Sequence, residues 1–281
     1  MPTIDIRGIR HTYELTNTTA SPNVLVFIHG WLLSRNYWQP LIQRLSAHYQ
    51  CLSYDLRGFG NSQIDQNQQK LVYTYSPASY VEDLAILLEK LNISRAWLIG
   101  HSLGGTIAIQ GAYKIPDIIK GVFCLNSGGG IYLKKEFEQF RSVGAQIIKF
   151  RPSWLPYLPL INQIYIKPQV ATPIPNKWGR QLLFDFVAAS YEAALGSLLE
   201  STTESEVHQL PKVVSELKQP VYFIAGEKDT IMEPKYVLHL ASFHWMFEGQ
   251  GKNVLEIPGC GHLSMLEKPD VVAAHILSLL Q

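Results

Sequence analysis

Two hydrophobic rhythms alternate along this chain. Short, continuous apolar runs bounded by turn residues occur at 24–28, 51–54, 96–99, 121–125, 221–225 and 254–257. Between them, at 38–48, 79–91, 106–113, 236–247 and 269–280, apolar residues recur at helical spacing with polar residues on the opposite face. Runs this short, rich in Val, Ile and Phe, read as strands buried on both faces, and the intervening segments read as amphipathic helices. Their alternation predicts an α/β fold: a mostly parallel central sheet with helices on both faces. Residues 4–15 alternate weakly around Gly8 and predict an antiparallel hairpin at the sheet edge.

The alternation stops between about Ser127 and Leu210. There the pattern is helical, rich in proline and aromatic residues, with no strand-like run. We read this stretch as a helical cap inserted between two parts of one core, giving core 1–126, cap 127–210 and core 211–281. No internal repeat or low-complexity tract interrupts the pattern.

Composition narrows the class. With 281 residues and 47% apolar content, the chain can bury a large core, and 17% charged residues argue against disorder. A net charge of +1 supplies no global field for nucleic acid, so no nucleic-acid partner is expected. No run approaches the roughly 18 apolar residues that a spanning helix needs. Residues 1–10 mix charges with apolar side chains, unlike a signal peptide. The three cysteines are an odd set, and Cys51 and Cys124 lie in strand-like runs. They read as small buried hydrophobes in a reducing compartment, so a cytoplasmic location is expected. Cys260 reads as a small loop residue, and the Asn17 and Asn92 sequons carry no weight without a secretory signal.

The candidate chemistry begins at Gly100-His101-Ser102-Leu103-Gly104, a single G-x-S-x-G between an apolar run and a helical pattern. A serine on a tight strand-to-helix turn exposes its hydroxyl at the carboxyl edge of a sheet, and small neighbours must tolerate the strained backbone. A serine hydroxyl becomes a useful nucleophile only beside a base that is itself oriented by an acid. Of nine histidines, His262 stands on the glycine-rich loop Pro258-Gly259-Cys260-Gly261 beyond the last strand, where it can reach back over the sheet edge. Asp229 follows the run 221–225 through Gly226-Glu227-Lys228 and is the acid chosen, with Glu227 a weaker competitor. The rival position after 121–125 offers Asn126, Ser127 and three glycines, and no carboxylate before Glu136. Two backbone donors are needed for a developing oxyanion. We assign them to the N–H groups of Leu103 and Trp31, with Leu32 as the next choice, and read His29 as a brace for its loop.

Taken in order, His29-Gly30-Trp31, the turn 55–62, the Ser102 elbow, Gly226 to Asp229 and Gly261-His262 resemble the α/β-hydrolase superfamily over nearly all of the chain outside the cap. The order Ser…Asp…His fits that arrangement. The resemblance implies a serine hydrolase that cleaves small-molecule carboxylic esters through an acyl-enzyme, with no cofactor and no metal. Serine at the elbow separates the chain from the epoxide hydrolases and haloalkane dehalogenases of this fold, which place aspartate there. Gly104-Gly105-Thr106 separates it from the menaquinone-pathway synthase, which carries an arginine soon after its serine. A carbon–carbon bond hydrolase, an acyltransferase and a cofactor-free haloperoxidase would use the same triad, and a ligand receptor could retain it.

The cap adds a charge signal. From Arg141 to Arg180 there are six basic residues, six prolines and no Asp or Glu. Two readings stand: a border for a lipophilic substrate pocket, and a peripheral contact with an anionic membrane surface through Trp154-Leu155-Pro156-Tyr157-Leu158-Pro159-Leu160.

Overall fold

The computed structural model describes residues 1–63, 74–129 and 134–280. Among them run eight strands: β1 (Thr3–Ile6), β2 (Ile9–Leu15), β3 (Val24–Ile28), β4 (Gln50–Tyr54), β5 (Ala96–His101), β6 (Ile119–Leu125), β7 (Val221–Gly226) and β8 (Val254–Ile257). They form one sheet in the order β1-β2-β4-β3-β5-β6-β7-β8. Strands β3 to β8 run parallel to one another, and the β1–β2 hairpin joins antiparallel at the edge beside β4. Ile6 pairs with Ile9, so the hairpin turn is the two residues Arg7 and Gly8, at φ 55° and 82°. Two positive φ values are what a type I′ turn demands, which explains the glycine.

Among the described residues eleven helices accompany the sheet: α1 (Gln39–Leu45), α2 (Pro77–Lys90), α3 (Leu103–Lys114), α4 (Lys134–Lys149), α5 (Ile161–Ile166), α6 (Asn176–Ala188), α7 (Tyr191–Ser201), α8 (Glu204–Glu216), α9 (Pro234–Ala241), α10 (Ser264–Glu267) and α11 (Pro269–Leu280). Several start at side-chain caps that the sequence supplies. Ser76 accepts from the N–H of Ser79, Ser190 from Ala193 and Thr203 from Glu206. Alternate residues of each strand feed different cores. Val24, Val26, Ile28, Leu98 and Val122 pack with α2 and α3, whereas Leu25, Phe27, Ile99, Phe123 and Ile224 pack with α1 and α11. A sheet buried on both faces therefore needs continuous apolar runs, which is the pattern the sequence carries.

One expectation shifts. The helix expected over 236–247 ends at Ala241, followed by a separate 3₁₀ turn at Trp245–Phe247. The His244 ring caps that turn by accepting from the N–H of Met246, and Phe243 and Trp245 are exposed. The apolar spacing thus continued into residues that face solvent. Helices α4 to α8 all lie between β6 and β7 in sequence, and α8 spans position 210.

Candidate active site

Because β3, β5, β7 and β8 are parallel, residues that follow their ends share one edge of the sheet. His29 to Trp31 follow β3, Ser102 follows β5, Asp229 follows β7 and His262 follows β8. Ligand sites of open α/β sheets form along this carboxyl edge.

Ser102 adopts φ 52° and ψ −118°, between the last residue of β5 and the first of α3. A non-glycine residue held there stores roughly 1–3 kcal/mol. The turn closes because its neighbours lack side chains. A Cβ on Gly100 would lie 2.1 Å from the carbonyl oxygen of Gly104, and one on Gly104 would lie 2.1 Å from that of Ile28. The backbone is anchored to the neighbouring strand by Ser102 N–H to the Leu125 carbonyl at 3.0 Å.

Asp229 and His262 meet directly. His262 Nδ1–H donates to Asp229 Oδ2 at 2.8 Å, and both side chains are buried. The other carboxylate oxygen accepts from the N–H groups of Ile231 and Met232, each at 2.9 Å. Burial pushes the Asp229 carboxyl up, but His262 beside it and these hydrogen bonds outweigh burial and hold it below the usual carboxylate range. With Nδ1 committed as a donor, Nε2 of the neutral ring is left as the basic nitrogen. Ser102 Oγ makes no hydrogen bond among the described residues, so the structure joins acid to base and brings the serine to the same edge without a direct bond. Catalytic hydrogen bonds commonly tighten only with substrate present.

Three further residues tie the site together. His101, the residue before Ser102, donates from Nε2 to the His262 carbonyl at 2.8 Å, with the two rings 4.7 Å apart. Burial, with His262 beside it, pushes the His101 imidazole down to about 3, so it stays neutral. Asn126 is the second. Its Nδ2 donates to Asp229 Oδ2 at 2.9 Å and to the Gly261 carbonyl at 3.0 Å, and its Oδ1 accepts from Ser264 Oγ at 2.6 Å. It is fully buried at φ 48°, a conformation that Asn tolerates better than most residues. An amide stands here where a carboxylate is absent, and its signal in the sequence is a polar residue directly after a buried strand. Third, His29 donates from Nδ1 to the Gly30 carbonyl and accepts at Nε2 from the N–H of Leu56, which occupies both ring nitrogens as a brace would.

The two assigned amides belong to Leu103 and Trp31. Leu103 opens α3, where the first N–H groups lack an intrahelical acceptor, and neither it nor the Trp31 N–H donates to protein among the described residues. Leu32 sits at φ 58° in the same loop.

The helical segment between β6 and β7 touches these loops at several points. Trp31 Nε1 donates to the Ala194 carbonyl at 2.9 Å. His262 N–H donates to the Gln169 carbonyl at 2.9 Å. Glu267 accepts at one oxygen from Gly261 N–H at 2.9 Å, and at the other from the N–H groups of Ala171 and Thr172 at 2.8 and 2.9 Å.

Asp185 of α6 accepts from Ser34 Oγ at 2.7 Å and from Gln181 Nε2 at 3.0 Å, and burial pushes its carboxyl up to about 6. A folded-state value raised from 3.8 contributes stability below pH 4 that is lost as pH rises through about 6. A shift of this size amounts to about 3 kcal/mol. Asp185→Asn is therefore expected to raise Tm at pH 7.5, by about 2–4 °C per kcal/mol recovered, with the gain vanishing near pH 4. Parallel melting curves for the two proteins across that range would refute the assignment.

No group of His, Cys, Asp and Glu among the described residues is arranged to hold a metal ion, and the three cysteines are buried and unpaired.

The chain resembles known proteins along nearly its whole length. It is 26% identical over 266 residues to the uncharacterized hydrolase YugF of Bacillus subtilis, covering 92% of this chain and 89% of that protein. Its fold superposes on an esterase from Thermogutta terrifontis with a TM-score of 0.78 at 22% identity, covering 99% of this chain and 96% of the other. A bromoperoxidase from Bacillus anthracis superposes with a TM-score of 0.75 at 22% identity, covering 97% and 95%. The Alpha/beta hydrolase family profile matches residues 25–275, and with the sheet order, the elbow and the loops in place, the chain belongs to the alpha/beta hydrolase family.

Proposed function

We propose that the protein is a serine hydrolase that cleaves carboxylic esters of lipophilic substrates through an acyl-enzyme. Ser102 Oγ attacks the ester carbonyl carbon while His262 Nε2 takes its proton. The electron pair of the carbonyl moves onto oxygen, which the Leu103 and Trp31 N–H groups receive. Collapse expels the alcohol, which takes the proton from His262. Water then attacks the acyl group with His262 again as base, releasing the acid and restoring Ser102. Asp229 stabilises the imidazolium formed in each half and fixes the tautomer that leaves Nε2 basic. The 2.8 Å bond between His262 Nδ1 and Asp229 Oδ2 is what supports this scheme above all.

The helices between β6 and β7 act in this scheme as a cap. Ile148, Phe186 and Leu198 from them share an apolar cluster with Leu32 and Leu103, beside the two assigned oxyanion amides. Apolar walls there favour lipophilic acyl or alcohol groups. A fluorophosphonate should label Ser102, located by mass spectrometry of the modified peptide. Across a series of p-nitrophenyl esters kcat/KM should rise by up to about fourfold per methylene. An unlabelled Ser102 would end the scheme, and a preference peaking at about two to four carbons would remove the lipophilic pocket.

A further inference from the structure

The six basic residues of 141–180 divide into two groups in the structure. Arg141 donates to the carbonyls of Leu199 and Thr202 at the end of α7. Arg151 donates to those of Ile148, Phe186 and Ala189, closing the ends of α4 and α6. These two charges serve helix termini, where cations and orphan carbonyls belong together. The other four, Lys149, Lys167, Lys177 and Arg180, are exposed and form no ion pair among the described residues.

The same stretch exposes apolar side chains. Eight of the seventeen exposed large hydrophobic residues among the described ones fall within 143–164, so the exposure is concentrated and not scattered. Phe150, Leu160, Ile164 and Tyr157 are 73%, 64%, 68% and 75% exposed, and Trp154 and Leu158 join them. Single exposed apolar residues are ordinary on a monomer, but a large contiguous patch marks an interaction surface. Contacts with α6 tie two parts of this stretch to the same helix. Val143, Ile147 and Phe150 share one face at the end of α4, and Arg151 ties that end to α6. The Tyr157 ring packs edge-on against Phe184 of α6 at 5.9 Å. Lys177, Arg180 and Phe184 are spaced i, i+3, i+7 along α6, and Ile164 and Lys167 are three apart, so cations and apolar groups share faces.

We propose that this face of the helical segment is a docking surface for an anionic lipid bilayer. The aromatic and aliphatic side chains enter the interface, and the four exposed cations meet lipid headgroup charge. Charge complementarity argues for that occupant: between Arg141 and Arg180 there is no carboxylate to repel an anionic surface or to pair with the cations. The attachment proposed is peripheral, and no single helix among the described residues is long and apolar enough to cross a membrane.

Co-sedimentation with vesicles of phosphatidylcholine alone, or mixed equally with phosphatidylglycerol, tests this directly and needs no turnover. The wild-type chain should pellet with the anionic vesicles at low salt, and should be released at about 1 M salt, where screening acts within about 3 Å. Lys149→Glu/Arg180→Glu should weaken partitioning at least about 25-fold, taking about fivefold for each cation removed. Trp154→Ser/Tyr157→Ser should weaken it at least tenfold. Both variants should keep wild-type activity on a soluble ester, which shows that they fold. The proposal is overturned if the wild type stays in the supernatant with anionic vesicles at low salt. It is overturned equally if neutral vesicles bind as well and charge reversal changes nothing. A wild-type dimer in sedimentation velocity that Trp154→Ser/Tyr157→Ser dissociates would also overturn it, by assigning the face to a second copy of the chain.

Discussion

Ser102→Ala is expected to lower kcat for a p-nitrophenyl ester by about 10⁶-fold, the loss seen when a serine nucleophile is removed from such a triad. Binding of a substrate analogue should persist, because the substitution removes one oxygen atom and leaves the neighbouring Leu32 and Leu103 in place. The companion substitution Ser102→Gly separates chemistry from strain. At φ 52° and ψ −118°, glycine avoids the steric conflict that serine endures, so this variant should lose turnover equally yet melt higher than Ser102→Ala. Titration calorimetry and thermal denaturation on the three proteins read both effects. Retained turnover in Ser102→Ala would defeat the acyl-enzyme scheme, and equal melting temperatures would show that the elbow stores no strain.

The second large effect is expected for Asp229→Asn. One carboxylate oxygen accepts from His262 Nδ1 and Asn126 Nδ2, and the other from two backbone N–H groups. An asparagine must present its NH₂ to one of these pairs of donors, whichever way it is flipped. Facing His262, it forces the ring into the tautomer that carries its proton on Nε2, where Ser102 finds no base. Facing the backbone, it leaves two buried N–H groups opposed to a donor, which costs about 1–3 kcal/mol for each unsatisfied group. A loss of about 10⁴-fold in kcat at neutral pH is expected for the wrong tautomer, accompanied by a lower melting temperature. Nitrogen chemical shifts of the His262 ring distinguish the tautomers. A variant with wild-type kcat would remove Asp229 from the mechanism.

The frame of this molecule was legible because parallel strands buried on both faces cannot avoid continuous apolar runs. The runs at 24–28 and 254–257 coincide with β3 and β8, and the others differ by one or two residues at their ends. The elbow was legible for a related reason: Gly100 and Gly104 are dictated by backbone approaches near 2 Å, which leave a local mark on the sequence. Asn126 left a weaker mark. Its contacts reach Asp229, Gly261 and Ser264, all more than a hundred residues away, and depend on β6 lying beside β7. His101 was hidden for the same reason, since its partner is a carbonyl and carbonyls carry no residue identity. The apolar pattern over 236–247 overruns the helix because apolar spacing reports what a segment could bury, and Phe243 and Trp245 bury little. The basic stretch held two roles that charge counting merged, two arginines closing helix ends and four cations facing outward.

The grip of Glu267 on Gly261, Ala171 and Thr172, with His262 N–H held by Gln169, bears on how such proteins can diversify. The loop that carries the base and the strap at 169–172 share one set of hydrogen bonds, so neither is complete alone. The helices between β6 and β7 are thus no interchangeable cassette. A segment transplanted from a relative would have to bring its own backbone donors for Glu267 and an acceptor for His262, or the base would arrive out of place. Inheritance should then have kept the strap and the final loop as a matched pair, while the helices beyond the strap were free to drift toward new surfaces.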